Sequence, residues 1–167
     1  YLVKNTEKLS YAAENRFQWG IGPYFEHRLF NPDMPVILET GVEFAGKFKI
    51  TSNLDLVASA RKSILTNLTK NNRLDSFSVL PRVHSDWGYY DVNGQKGHIP
   101  SLKFSYMQNI APSLYGRAHI GLLEPFFAGY GGEILFKPAS SPFALGLDLH
   151  RVKQRDYDML FDLRSYK

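Results

Sequence analysis

Apolar and polar residues alternate with a period of two along most of the chain, which predicts strands and not helices. In the first such stretch Phe17, Trp19, Ile21, Pro23 and Phe25 hold the odd positions, and Gln18, Gly20, Gly22 and Tyr24 the even ones. After a breaker at residues 31–35 the apolar set moves to Val36, Leu38, Val42 and Phe44, with Thr40 among them and Glu39, Gly41 and Glu43 opposite. Thr51, Ser52 and Asn53 read as a tight turn. Beyond it Leu54, Leu56, Ala58 and Ala60 alternate with Asp55, Ser59 and Arg61, so the two segments form a hairpin. Residues 66–78 are polar, Asn-rich and without a clear period, as expected of a long loop.

The second half repeats the pattern. Residues 82–91 read as a strand, with Val83, Trp87 and Tyr89 on one face and Arg82, His84, Asp86 and Tyr90 on the other, leading into a turn at Val92, Asn93 and Gly94. Leu102, Phe104 and Tyr106 alternate with Ser101, Lys103, Ser105 and Met107. Past Ala111 and Pro112, Ala118, Ile120 and Leu122 oppose Arg117 and His119. Tyr130, Ile134 and Phe136 oppose Gly129, Gly131 and Glu133, and Phe143, Leu145, Leu147 and Leu149 oppose Ala144, Gly146, Asp148 and His150. The count is about eight strands of roughly 9 to 14 residues, near the length of tilted membrane strands and longer than the soluble mode. No repeat or linker divides residues 1–167, so they are read as one β-domain or part of a larger barrel protein.

Composition narrows the partners. The 167 residues contain no Cys, which excludes disulfides, thiolate metal sites and a Cys nucleophile in this segment. The net charge of +4 comes from Lys and Arg scattered among Asp and Glu, which argues against a nucleic-acid interface. No run approaches the length of a membrane helix, so any span is made by strands of a closed barrel. The chain opens at Tyr1 without an initiator Met or signal peptide and reads as an excised or mature segment.

Alternation leaves open which face points inward. In a soluble sandwich or barrel that binds a ligand or partner, the Phe, Leu and Ile face is core. In a transmembrane barrel it meets lipid and the charged face lines a lumen. Long strands and aromatics near strand ends, such as Trp19, Phe44, Tyr115 and Phe143, favour the second. A turn near Pro125 places His119 roughly opposite Glu133, with Arg117 one step away, and a turn near Ser140 brings Glu133 close to Asp148 or His150. Such a cluster serves either as a register-fixing ladder of opposite charges or, through His119, Glu133 and Asp148, as the acid–base machinery of an outer-membrane barrel enzyme that modifies lipid or glycan. No catalytic motif, metal-ligand spacing or cofactor signature accompanies it, so neither an enzyme nor a cofactor is expected. Gly129, Gly131 and Gly132 make room for a neighbouring ring, with Tyr115 or Tyr130 as candidates, or for a ligand pressed on bare backbone.

LPRVHSD (residues 80–86), LEPFFAGYGGEILFKP (residues 123–138) and FALGLDLHRVKQRDYD (residues 143–158) resemble the YjbH or GfcD family, and QWGIGP (residues 18–23) fits the start of the same family's barrel. The resemblance implies an antiparallel up-and-down β-barrel of outer-membrane type. Its implied role is accessory or structural, in exopolysaccharide and group 4 capsule production or export, without a known catalytic reaction. Outer-membrane lipid, polysaccharide and secretion-system proteins are the implied partners, and the bacterial outer membrane the implied location. On this reading Arg82, Asp86, Arg117, Glu124, Glu133, Asp148, Arg155 and Asp156 are candidate lumen or glycan contacts, with an Arg155–Asp156 ion pair as the structural alternative at the end of the last strand.

Overall fold

The computed structural model describes residues 16–29, 35–67 and 86–164. Seven strands occur among them: β1 (Phe17–Leu29), β2 (Val36–Lys49), β3 (Leu54–Thr66), β4 (His98–Ala111), β5 (Leu114–Leu122), β6 (Phe127–Phe136) and β7 (Leu145–Gln154). One helix, α1 (Trp87–Gly94), lies between β3 and β4. The strands form a single sheet in chain order, and each is antiparallel to its neighbours. The expected all-β, up-and-down architecture is therefore present as a sheet. It is not closed: among the described residues β1 and β7 are its two free edges.

Two of the connections at one end of the sheet are tight. Residues 50–53 turn β2 into β3, with the Ile50 N–H donating to the Leu54 carbonyl at 2.9 Å and the Leu54 N–H to Thr51 Oγ1 at 3.0 Å. Pro112 and Ser113 alone join β4 to β5, and Ser113 takes a left-handed φ of 64°. The opposite end carries the connection that contains α1 and the four-residue turn from β5 to β6.

The helix corrects the strand expected over residues 82–91 and the turn expected at Val92–Gly94. Residues 87–94 are helical, and the Tyr89 N–H donates to the Asp86 carbonyl at 3.0 Å. Only a few alternating residues supported a strand here, and tertiary contacts of helical spacing override so short a pattern. Tyr89 stacks on Tyr157 with ring centroids 4.8 Å apart, and Tyr90 meets Phe126 at 4.6 Å. Gly94, one turn after Tyr90, admits the Met159 methyl where any Cβ would collide with it. The loop expected at residues 66–78, the LPRVHSD stretch as far as residue 85, and with it Arg82, lie outside the described residues, apart from the start of that loop.

The two faces of the sheet differ sharply. The described residues bury few apolar side chains, namely Tyr24, Ile37, Tyr90, Leu122, Ala128 and Met159, most of them at the end where α1 and the segment after β7 fold over the polar face. The apolar face stands open from edge to edge: Trp19 is 62% exposed, Ile21 64%, Leu147 61% and Leu149 66%. Its aromatics touch one another across β1 and β2, with Phe17 6.4 Å from Phe48 and Trp19 stacked on Phe44 at 6.4 Å.

Candidate functional site

The polar face holds the charged side chains, and register brings three predicted residues together. Arg117 on β5 pairs with Glu133 on β6, which in turn pairs with Asp148 on β7. Arg117 Nη2 lies 2.6 Å from Glu133 Oε2. One rung along, His119 and His150 flank Gly131, with His119 Nε2 3.1 Å from His150 Nδ1. The far nitrogen of His150 reaches Asp148 Oδ2 at 2.8 Å. Gly131 is what permits this: a Cβ there would sit 2.5 Å from His150 Nδ1 and 2.8 Å from His119 Nε2. The rings over that glycine are thus imidazoles, and not those of Tyr115 or Tyr130. His119 faces Gly131 instead of Glu133, because the β5–β6 register is centred on Pro125 itself. Moving the pivot by one residue moves every partner by two.

This ladder borders a hollow of about 550 Å³ that reaches across the polar face from β2 to β7 and is lined by Lys47, Asp55, Lys103, Arg117, His119 and His150. Glu124, from the β5–β6 turn, stands at its rim. Lys47 Nζ lies 2.9 Å from Asp55 Oδ2 across the β2–β3 hairpin. The lining sets these donors and acceptors of both signs beside apolar surface from Val57, Met107, Leu123, Phe127 and Val152. Among the described residues no group of three or more His, Cys, Asp or Glu side chains is arranged to hold a metal ion.

The other end of the polar face lies under α1. Arg28 Nη1 meets Asp91 Oδ2 at 2.6 Å, Arg61 bridges Glu43 at 3.1 Å and Glu26 at 3.4 Å, and the Tyr24 hydroxyl donates to Glu39 at 2.5 Å. Burial pushes the Asp91 carboxyl above its usual range, by more than the Arg28 guanidinium beside it lowers it.

Arg155 is here too, in a role different from the expected ion pair with Asp156. Its side chain is fully buried and donates to four backbone carbonyls: Ile99 and Glu124 at 2.9 Å each, Leu160 at 2.7 Å, and Met159. Burial pushes its guanidinium down to about 10, which leaves it charged near neutral pH. The Tyr90 hydroxyl donates to the Arg155 carbonyl at 2.7 Å and accepts from Gln154 Nε2 at 2.7 Å, tying α1 to the end of β7. Asp86 accepts from the Tyr157 hydroxyl at 3.1 Å, and the Asp156 N–H donates to the Asp162 carbonyl.

The predicted set therefore divides. Arg117, Glu133 and Asp148 form one cluster, Asp86, Arg155 and Asp156 belong to the helix end, and Glu124 touches both through its side chain and its carbonyl. Sequence reading missed Lys47, Asp55, Arg28, Arg61 and Asp91 as site residues. For Lys47, Asp55 and Arg61 a signal existed, since the tight turn at residues 51–53 and the alternation already put them on the polar face. For Asp91 none did, because its place depends on the helix.

The model of the YjbH family, described as "Exopolysaccharide biosynthesis protein YbjH", matches residues 2–167. The chain is also 29% identical over 165 residues to a protein of Escherichia coli (strain K12) named "Uncharacterized lipoprotein YjbH". The alignment takes in 98% of this chain and 23% of that protein, so the chain spans about a quarter of the relative's length. No solved structure matches.

Proposed function

Because the chain belongs to the YjbH exopolysaccharide biosynthesis family, and because its sheet is apolar on the exposed side, we propose that it forms part of the wall of an outer-membrane β-barrel with an accessory or structural role in exopolysaccharide or capsule production or export. The observation that carries this reading is the sidedness. Each large apolar side chain left in water forgoes about 1.5–3 kcal/mol, so roughly a dozen together exceed the ~5–15 kcal/mol net stability of a domain. Patches of that size mark an interaction surface. Lipid answers the whole face at once, and the polar face then lines a lumen whose mixed charges and open hollow suit passage or contact of a glycan.

Strand length agrees. Ten residues at ~3.3 Å each, tilted about 40°, rise roughly 25 Å, the height of a barrel's apolar band. Among the described residues no helix is long and apolar enough to cross a membrane, which says nothing against strands. The relative named a lipoprotein supports an envelope location. In this reading the His119, Glu133 and Asp148 region fixes register and lines the lumen without performing catalysis.

Spin labels at Ile21, Phe104 and Leu147, and separately at Lys103 and Ser105, test the sidedness in the full-length protein reconstituted in bilayers. The first set is expected to be relaxed by oxygen and shielded from a water-soluble nickel chelate, the second the reverse. Water access at the first set overturns the barrel. For the polysaccharide role, deleting the gene is expected to lower exopolysaccharide output, with restoration by the intact gene; unchanged output refutes it.

A further inference from the structure

The free edge of β7 is not left bare along its whole length. After Gln154 the chain turns through residues 155–162 and comes back: Arg155 forms an antiparallel bridge with Leu163, and the Arg164 N–H donates to the Gln154 carbonyl at 2.9 Å. This contact lies on the outer side of β7. The Arg155 N–H donates to the Phe126 carbonyl, so the odd-numbered residues of β7 exchange bonds with β6 and the even-numbered ones turn their N–H and C=O outward. Gln154 is one of these, and Arg164 has taken its oxygen. The returning segment is held in place by Arg155, whose buried guanidinium binds the Met159 and Leu160 carbonyls inside the turn. A second bond, from the Asp156 N–H to the Asp162 carbonyl at 2.8 Å, closes the same loop.

We propose that residues 155–162 are a hairpin connection and that the polypeptide following Leu163 continues as an eighth strand, antiparallel to β7 along its outer edge. The proposal rests on the barrel reading for its necessity: a strand edge facing lipid carries N–H and C=O groups that nothing in the bilayer satisfies. It also settles a parity problem. With every neighbour antiparallel, β1 and β7 run in the same direction, so they cannot close on each other in the all-antiparallel pattern of such barrels, and an odd number of strands must be added. A second copy of the seven described strands does not supply them. Copies inserted in one direction present β1 and β7 to each other in parallel, and an antiparallel seam requires one copy to be inserted upside down. The chain's own continuation has the right direction, and its first two residues are already in register.

An eighth strand that keeps the register of this bridge would pair Lys153 with residue 165 and Arg151 with residue 167. Both are pairs without mutual hydrogen bonds, where Cβ atoms approach closely enough for a disulfide. In the full-length protein with any other cysteines replaced, Lys153→Cys with Ser165→Cys, and Arg151→Cys with Lys167→Cys, are expected to oxidise within one molecule, whereas the out-of-register Arg151→Cys with Ser165→Cys is not. Hydrogen exchange in the unsubstituted protein supplies the second measurement: the outward amides of Gly146, Asp148, His150 and Val152 are expected to be protected as the β5 and β6 amides are. Failure of both in-register pairs, disulfides between molecules, or outward amides that exchange freely each overturn the eighth strand. In-register disulfides with water-accessible labels at Ile21 and Leu147 instead sink the membrane reading and leave the strand standing.

Discussion

Replacing Arg155 by Met is expected to release one end of the molecule while leaving the middle of the sheet intact. The side chain is fully buried and donates to four carbonyls drawn from three places: the start of β4 (Ile99), the β5–β6 turn (Glu124) and the loop after β7 (Met159 and Leu160). Charge-assisted hydrogen bonds contribute about 1.5–3 kcal/mol each, which for four gives a gross ~6–12 kcal/mol. Desolvating the guanidinium costs several kcal/mol, and Met recovers that cost and fills most of the volume. The carbonyls left behind have second lone pairs and take water once the loop loosens. A net loss of about 3–5 kcal/mol follows, in the range seen when one partner of a buried charged contact is removed. Hydrogen exchange followed by mass spectrometry on the full-length protein reads this locally. At 1.4 kcal/mol per tenfold, amides in residues 87–94 and 156–164 are expected to exchange at least roughly a hundredfold faster in Arg155→Met, with β5 and β6 unchanged. Arg155→Lys keeps the charge but cannot fork to four acceptors, and is expected to fall between. Unaltered protection of α1 in Arg155→Met refutes the role given to the guanidinium. Equal loss across β5 and β6 refutes its confinement to one end.

Adjacent residues on one strand separate the two faces: Phe104→Lys is expected to cost about 2–4 kcal/mol in folding titrations with lipid vesicles, and Ser105→Lys only a small fraction of that. The opposite order reverses the sidedness. Gly131→Ala forces apart imidazoles lying 2.5 and 2.8 Å from the new Cβ and is expected to cost about 1–3 kcal/mol in urea unfolding, relieved in part by His119→Ala in the same molecule. An additive double substitution removes the proposed clash. Asp91 supplies a pH dependence. Its pKa is raised in the folded state, so the folded form binds the extra proton first, and docking of α1 strengthens as pH falls through the raised pKa and levels off below the ordinary value of 3.8. Asp91→Asn flattens that slope in exchange measurements on residues 87–94, and docking that weakens on acidification shows that the Arg28 pairing outweighs burial.

The strands were legible because a two-residue period over nine or more residues has no helical counterpart, and the turns at residues 50–53 and 112–113 are written in Thr, Ser, Asn and Pro. The sides of the sheet were legible from the same period. What escaped was anything set by contacts across the polar face. Tyr89, Tyr90 and Asp91 carry no strong helical signal, and they are helical because Tyr157, Phe126 and Arg28 receive them there. Arg155 next to Asp156 reads as an ion pair in one dimension. In three, the arginine points inward to carbonyls of residues 99, 124, 159 and 160, acceptors that every sequence possesses and none advertises. The difference between a closed barrel and an open seven-stranded sheet was equally invisible, since period two is the same in both.

Two different features of the sequence fix the register of this sheet, and they act against different errors. A slip of one residue turns a whole strand over, carrying Ile134 or Leu147 to the polar face, and the hydrophobic alternation forbids it. A slip of two residues keeps every side chain on its proper face, so alternation is blind to it. That is the error made when His119 is set against Glu133: Arg117 then faces Leu135. In the observed register Arg117 lies 2.6 Å from Glu133, and both imidazoles find Gly131, which has no side chain to exclude them. An exposed pair of this kind is worth only about 0.2–1 kcal/mol, too little to hold the fold. It suffices to choose between two registers that burial leaves equal. In the β2–β3 hairpin Asp55 faces Lys49, and Lys47 reaches it on the diagonal at 2.9 Å, so the contact there spans two rungs. The charges on the polar face thus specify pairing that the apolar face, uniform along its length, is unable to specify for itself.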